Sequence, residues 1–240
     1  MGVKDIVDRR KFNGLGAGWL AGVPALWLPD ASALNLADLS QGEAVQGLKG
    51  ALERGARTAI AELGRLDGFL GRDQVRIPLP LRLQEHEKLL RRLGQGRRLD
   101  ELVTTMNRAA EAAVPQAQEL MLGAVRNMTV DDGKQILRGG ETSVTTFFAD
   151  KTRVPLGQKF LPVVSATTAR LNLAGQYNRL VGKASDLGLL RREEATIEQY
   201  VTGKALDGLY FMIGEEERKI RRDPVGTGSA LLSKVFGALR

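Results

Sequence analysis

The residue types that most often carry catalysis are scarce in this chain. It has no cysteine and a single histidine, His86. These counts exclude thiol catalysis, a disulfide framework, a zinc finger and any metal site that needs two histidines. The segment HEKLL at residues 86–90 begins like the zinc-protease pattern H-E-x-x-H, but Leu90 occupies the position of the second ligand. We therefore predict no metal and no cofactor, and we assign no catalytic residue.

Motifs that bind phosphate or activate a serine are also missing. Residues 94–99 (GQGRRL) lack the third glycine of G-x-G-x-x-G, and neither G-x-x-x-x-G-K-[ST] nor G-x-S-x-G occurs. Carboxylates remain as candidates for acid–base chemistry. Glu215–Lys219 and Glu217–Arg221 have the i,i+4 spacing of helix ion pairs. We therefore interpret the acidic run at 215–217 as a solvated helix end.

Six polar residues within apolar helical patterns are the candidates for a ligand-binding site. Three of them lie on the flank of the apolar stripe at residues 99–114, where either a buried network between helices or a ligand contact would explain them. Two more lie where they can line a pocket, and the sixth is an acid that needs a partner if it is partly buried. The six are Asn107, Arg108, Glu111, Tyr177, Asn178 and Asp207.

The charge of the chain points to anionic partners. Lys and Arg number 35 against 28 Asp and Glu, which gives a net charge of +7. The most basic stretch has no acid between its first and last cation and is either a solvated helix face or a surface for phosphate head groups or anionic polymers. Only 5% of residues are aromatic and none interleaves this stretch, so base stacking is not predicted. The five cations are Lys88, Arg91, Arg92, Arg97 and Arg98.

The first 33 residues have the layout of an export signal. A basic segment precedes an uncharged stretch rich in Gly, Ala and Leu at residues 14–28, and small residues follow it. The basic segment resembles the twin-arginine signal R-R-x-F, although an aspartate and an asparagine replace residues usual beside that motif. The open alternatives are an N-terminal helix packed on the domain and an uncleaved anchor. The residues that carry the interpretation are Arg9, Arg10, Phe12, Ala31 and Ala33.

This interpretation divides the chain into a segment that is cleaved off and a mature domain. Residues 1–33 form a signal peptide that is cleaved after Ala33 by way of the twin-arginine or general export machinery. Residues 34–240 form a single periplasmic domain without a transmembrane span. Such a protein meets envelope proteins, lipids and small ligands, and we do not expect nucleic acid as its partner.

The elements that position these residues are predicted to be helices. Apolar residues recur at spacings of three and four along most of residues 40–240, and no convincing alternating strand pattern occurs. Thr129 and Thr196 begin capping patterns, and Gly64 fits a helix end. Separate helices are expected near residues 141–148 and 159–181, with a final helix after Pro224. The predicted fold is an all-α domain of about nine to eleven helices.

Several segments resemble one bacterial family, the domain of unknown function 4197. The resemblance covers nearly all of residues 36–239 and implies a helical protein exported by bacteria, often with a signal or lipoprotein leader. It implies no activity and no catalytic residues. The segments that carry it are 40–52 (SQGEAVQGLKGAL), 67–70 (DGFL), 75–80 (VRIPLP), 101–111 (ELVTTMNRAAE), 128–130 (MTV), 175–178 (GQYN) and 200–221 (YVTGKALDGLYFMIGEEERKIR).

Three functions are compatible with the sequence. The first is a non-enzymatic periplasmic protein that binds an envelope partner or an anionic or apolar ligand. The second is a carboxylate-dependent hydrolase of envelope polymers, which requires a cleft that joins Asp207 to Glu111 or Glu215. The third is a cytoplasmic nucleic-acid-binding protein, which requires that the N-terminus is not an export signal.

Overall fold

The described part of the chain is built from α-helices. A computed structural model describes residues 41–186 and 196–223, and no strand occurs in these two ranges. The predicted all-α class is therefore confirmed. The helices are α1 (Gln41–Gly64), α2 (Leu81–Glu85), α3 (Glu87–Leu90), α4 (Gly96–Ala113), α5 (Ala117–Arg126), α6 (Val130–Arg138), α7 (Ser143–Arg170), α8 (Leu173–Asp186) and α9 (Ile197–Arg222).

The long helices are fewer than predicted. Seven helices in the described ranges have nine residues or more, whereas nine to eleven helices were predicted for the whole of residues 34–240, with the final one outside these ranges. The main difference is α7, which runs unbroken through Pro155 and Pro162. Each proline costs a backbone hydrogen bond, but Leu156, Phe160 and Val164 recur at i,i+4 on the buried side of α7. Their burial holds the helix together where the local signal predicts a break.

The predicted helix starts are confirmed at two positions. Thr129 and Asp132 form a capping box at α6, because the Asp132 backbone N–H donates to the Thr129 hydroxyl and the Thr129 backbone N–H donates to the Asp132 carboxylate. The backbone and hydroxyl donors of Thr129 lower the pKa of Asp132. Thr196 and Gln199 form the same arrangement at α9. α1 ends at Gly64 as predicted.

The core lies where four long helices meet. α7 and α9 form the most extensive helix pair, and both also pack against α4, while α9 contacts α1. The predicted stripe on α4 is buried from Leu99 to Val114. On α9, a Cβ at Gly208 would lie 2.6 Å from Phe69 Cε1, so this helix needs a glycine to admit the phenylalanine ring. Phe69 belongs to the non-helical connector that joins α1 to α2.

No helix in residues 41–186 and 196–223 is both long and apolar enough to cross a membrane. The signal residues Arg9, Arg10, Phe12, Ala31 and Ala33 lie outside these ranges, as does the predicted final helix after Pro224.

Candidate anion-binding surface

The predicted polar residues of α4 hold the connector at residues 65–80. Asn107 is 0% exposed, and its side chain pairs with the backbone of Ile77 in both directions. The Ile77 N–H donates to Asn107 Oδ1 at 2.8 Å, and Asn107 Nδ2 donates to the Ile77 carbonyl at 3.0 Å. The same nitrogen also donates to the Val103 carbonyl at 2.8 Å. Asn107 thus supplies the hydrogen bonds that a neighbouring strand would give an extended segment.

Glu111 holds the same connector one helical turn further along α4. Its Oε1 accepts from the backbone N–H groups of Phe69 at 3.1 Å and Leu70 at 3.2 Å. Its Oε2 accepts from Arg108 at 2.6 Å, and Arg108 also donates to Asp67 Oδ1 at 2.7 Å. The bond to Glu111 raises the pKa of Arg108. Since these groups already bind one another, we assign Asn107, Arg108 and Glu111 a structural role and call them the connector clamp.

A second buried carboxylate, Glu217 of α9, acts in the same way on α7. It accepts from the N–H groups of Val144 at 3.0 Å and Thr145 at 3.1 Å, in the first turn of that helix. Arg221 donates to Glu217 and to the Ser143 hydroxyl. The predicted Glu217–Arg221 ion pair is therefore confirmed. The interpretation of Glu217 as solvated is wrong, because the carboxylate caps another helix inside the core.

The other candidate residues do not join the connector clamp. Asp207 is exposed rather than partly buried, and it pairs with Arg153 at 2.6 Å. Tyr177 is buried and Asn178 is exposed, both on α8. The acids of the hydrolase hypothesis each have their own guanidinium: Glu111 pairs with Arg108, Asp207 with Arg153 and Glu215 with Arg218. No observation in the described ranges favours a shared catalytic cleft.

The predicted basic stretch lies where α3 ends and α4 begins. α3 continues into a wider turn at Arg91–Gln95, in which Gly94 has a φ of 76°. This left-handed conformation suits glycine and redirects the chain into α4. The turn interrupts the run of apolar residues at positions 79–93. Leu79, Leu83 and Leu90 are buried, but Leu93 within the turn is exposed.

The five cations of the stretch differ in their partners. Arg91 binds Glu87 and Asp100, and the bond from Arg91 lowers the pKa of the Asp100 carboxyl. Arg97 pairs with Glu101. The remaining three are Lys88, Arg92 and Arg98, which are exposed and have no ion-pair partner among the described side chains.

Three exposed leucines accompany these unpaired cations. Leu81, Leu89 and Leu93 are 67%, 42% and 50% exposed. Leu89 and Leu93 are four residues apart, as are Lys88 and Arg92, so the two pairs form neighbouring stripes on one helical segment. Gln95 connects this segment to α4, because it donates to the Leu93 carbonyl and accepts from Arg98. We call the set the basic leucine surface: Leu81, Lys88, Leu89, Arg92, Leu93 and Arg98.

The cations of this surface were predicted from the sequence, whereas its exposed leucines were not. The signal was present, because a leucine next to each of Lys88 and Arg92 places an apolar stripe beside a basic one. The spacing of Leu93 from Leu90 fits the buried face of a straight helix, but Leu93 lies in the turn at Arg91–Gln95 and is exposed.

A groove of about 620 Å³ lies beside the basic leucine surface, between α4 and the start of α8. Its lining includes Arg91, Arg97, Asp100 and Glu101. These four charges form two ion pairs, Arg91–Asp100 and Arg97–Glu101, so the groove has little net charge. The uncompensated positive charge of this region therefore lies on the three unpaired cations rather than in the groove.

Comparison with known proteins identifies the family of this chain. The sequence profile of the family described as "Protein of unknown function (DUF4197)" matches residues 38–237. The chain belongs to this family. No curated protein and no solved structure matches it. The family match spans both the connector clamp and the basic leucine surface of this DUF4197 protein, and its description assigns neither of them an activity.

Proposed function

We propose that this DUF4197 protein is an exported, non-enzymatic binding module that engages an anionic partner in the bacterial periplasm through its basic leucine surface. The observation that carries the proposal is the absence of acidic partners for Lys88, Arg92 and Arg98 among the described side chains. Cations that no described acid neutralises are available to contact phosphate or carboxylate groups. The separate ion pairs of Glu111 and Asp207 support a binding role over hydrolysis.

Charge removal at this surface tests the proposal. We expect the triple variant Lys88→Gln, Arg92→Gln and Arg98→Gln to bind fluorescein-labelled polyphosphate about 100-fold more weakly, since each surface cation contributes about 1 kcal/mol near an anionic surface. The measurement is fluorescence anisotropy on the full chain across a salt series. The slope of log K against log salt becomes shallower by two to three, as roughly three cation–phosphate contacts are lost.

The chain offers a matched control for net charge. Arg57, Arg138 and Lys159 are exposed and have no ion-pair partner among the described side chains, and they lie on α1, α6 and α7. Replacing all three by glutamine removes the same three charges. If this control lost as much affinity for polyphosphate as the triple variant at the basic leucine surface, net charge alone would drive binding. That result would overturn the assignment to this surface.

Export is tested in the native host. We expect the protein in the periplasmic fraction, with an intact mass that begins at Leu34, because the pattern of residues 1–33 fits a cleaved export signal. Replacing Arg9 and Arg10 together by lysine should leave the chain uncleaved in the cytoplasm if the twin-arginine route is used. A full-length cytoplasmic wild-type chain would contradict export and restore nucleic acid as a candidate partner.

A further inference from the structure

Building on the proposed function, we infer that the anionic partner is the surface of a phospholipid bilayer, into which Leu81, Leu89 and Leu93 insert. This step rests on the proposed function, because the cations must first bring the surface to an anionic target. It goes further by assigning a task to the leucines, which a soluble polyanion does not need. The apolar boundary of a bilayer accepts such side chains, while its head groups accept the cations.

The arrangement of side chains fits the two layers of a membrane interface. Lys88 precedes Leu89 and Arg92 precedes Leu93, so each leucine has a cation directly beside it. Long basic side chains reach outward to phosphates while neighbouring apolar side chains enter the acyl boundary. Leu81 adds a third exposed leucine from α2, which packs against α3.

The composition of this region favours a bilayer over a protein partner. The cores of protein interfaces are enriched in tyrosine, tryptophan and phenylalanine. Residues 81–98 contain none of these three types. They combine leucine with lysine and arginine instead, which is the pairing that surface-lying membrane segments use. Charge complementarity with anionic head groups then selects the membrane as the occupant of these leucines.

The position of the surface in the fold supports a fixed docking site. The connector clamp holds Ile77 through Asn107, and the Tyr200 hydroxyl donates to the carbonyls of Pro78 and Leu79. These bonds end two residues before Leu81, the first leucine of the surface. The leucines are therefore presented by an anchored segment, which limits the conformational entropy lost when they insert.

Vesicle binding tests the inference. The full chain is sedimented with large unilamellar vesicles of phosphatidylglycerol and phosphatidylcholine, and with phosphatidylcholine vesicles alone. We expect binding to the anionic vesicles only, and a loss of about 30-fold in the variant Leu81→Ser, Leu89→Ser and Leu93→Ser. The control variant Leu66→Ser, Val130→Ser and Val154→Ser removes exposed apolar residues at other sites and should bind as the wild type does.

Insertion has a direct optical readout because the chain contains no cysteine. A single Leu93→Cys substitution accepts an environment-sensitive nitrobenzoxadiazole label at one position. Its emission should shift to the blue on anionic vesicles, whereas the same label on Val154→Cys should not shift. An unshifted label at position 93 in a vesicle-bound protein would overturn insertion.

The outcomes separate the inference from the proposed function. If the leucine variant binds polyphosphate and anionic vesicles as tightly as the wild type, the surface recognises anions without insertion, and only the membrane inference fails. If the wild type binds neither probe, both proposals fail. If the leucine variant instead unfolds at a lower temperature or changes oligomeric state, the leucines are covered by another part of the chain or by a second copy, and the membrane inference is overturned.

Discussion

Replacing Glu111 by alanine should destabilise the protein by about 3–5 kcal/mol, the cost of breaking a buried ion pair by removing one partner. The Glu111 side chain is 6% exposed. Its loss leaves the N–H groups of Phe69 and Leu70 without their acceptor and leaves Arg108 without its closest carboxylate. Buried unpaired donors cost about 1–3 kcal/mol each. Urea denaturation followed by circular dichroism measures the free energy of unfolding.

Two variants sharpen this experiment. Glu111→Gln keeps an oxygen for Phe69 and Leu70 but presents an amide in place of the carboxylate oxygen that accepts from Arg108. We therefore expect it to lose less stability than the alanine variant. Glu119→Ala removes an exposed carboxylate from α5 and should change stability by less than about 0.5 kcal/mol. If Glu111→Ala lowered the free energy of unfolding no more than Glu119→Ala does, Glu111 would not hold the connector. It would then be available as a ligand-binding acid.

Periodicity made the helices predictable, but it did not fix where they end. The stripe on α4 and the caps at Thr129 and Thr196 depend on residues close in sequence, and all three were predicted correctly. Separate helices were predicted near residues 141–148 and 159–181, whereas α7 runs unbroken from Ser143 to Arg170 through both of its prolines. Its continuity depends on packing against α4 and α9, which lie far away in the sequence.

The partners of the candidate residues were harder to predict than the residues themselves. Asn107 and Glu111 stand out in the sequence as polar residues on an apolar helix. Their partners are backbone groups of Ile77, Phe69 and Leu70, which carry no side-chain signal of their own. A backbone N–H exists at almost every residue. Sequence patterns therefore identify the side chain that needs partners and leave open which peptide groups supply them.

The connector clamp and the basic leucine surface are consecutive parts of one segment. Asn107 fixes Ile77, Tyr200 fixes the carbonyls of Pro78 and Leu79, and α2 starts at Leu81. A long loop without secondary structure loses entropy when it is ordered, and the polar residues of α4 and α9 offset this loss. Ordering of the connector in turn fixes where the exposed leucines and cations begin. Under the proposed function, the buried polar residues act by positioning the surface rather than by contact with a ligand.

A second substitution on α4 should make stability depend on pH in a new way. Asn107→Asp keeps an acceptor for the Ile77 N–H but replaces the donating amide with a carboxylate oxygen that faces the carbonyls of Ile77 and Val103. At pH 7 we expect a loss of about 3–5 kcal/mol, because a buried charge lies against two carbonyl oxygens. Asn107→Ala removes the same bonds without adding a charge, and it serves as the control.

The sign of the pH dependence follows from the pKa of the new carboxyl. Burial and the two carbonyls raise this pKa in the folded state above its unfolded value of about 3.9. The folded variant then binds more protons than the unfolded chain, so its stability rises as the pH falls through the folded pKa, by at most about 1.4 kcal/mol per pH unit. The recovery is partial, since a protonated carboxyl donates one hydrogen bond where the amide donates two. Denaturation of both variants between pH 4 and pH 8 measures the difference. If the free energy of unfolding of the two variants had the same pH dependence, position 107 would be hydrated in the folded protein. Another residue would then have to hold the connector.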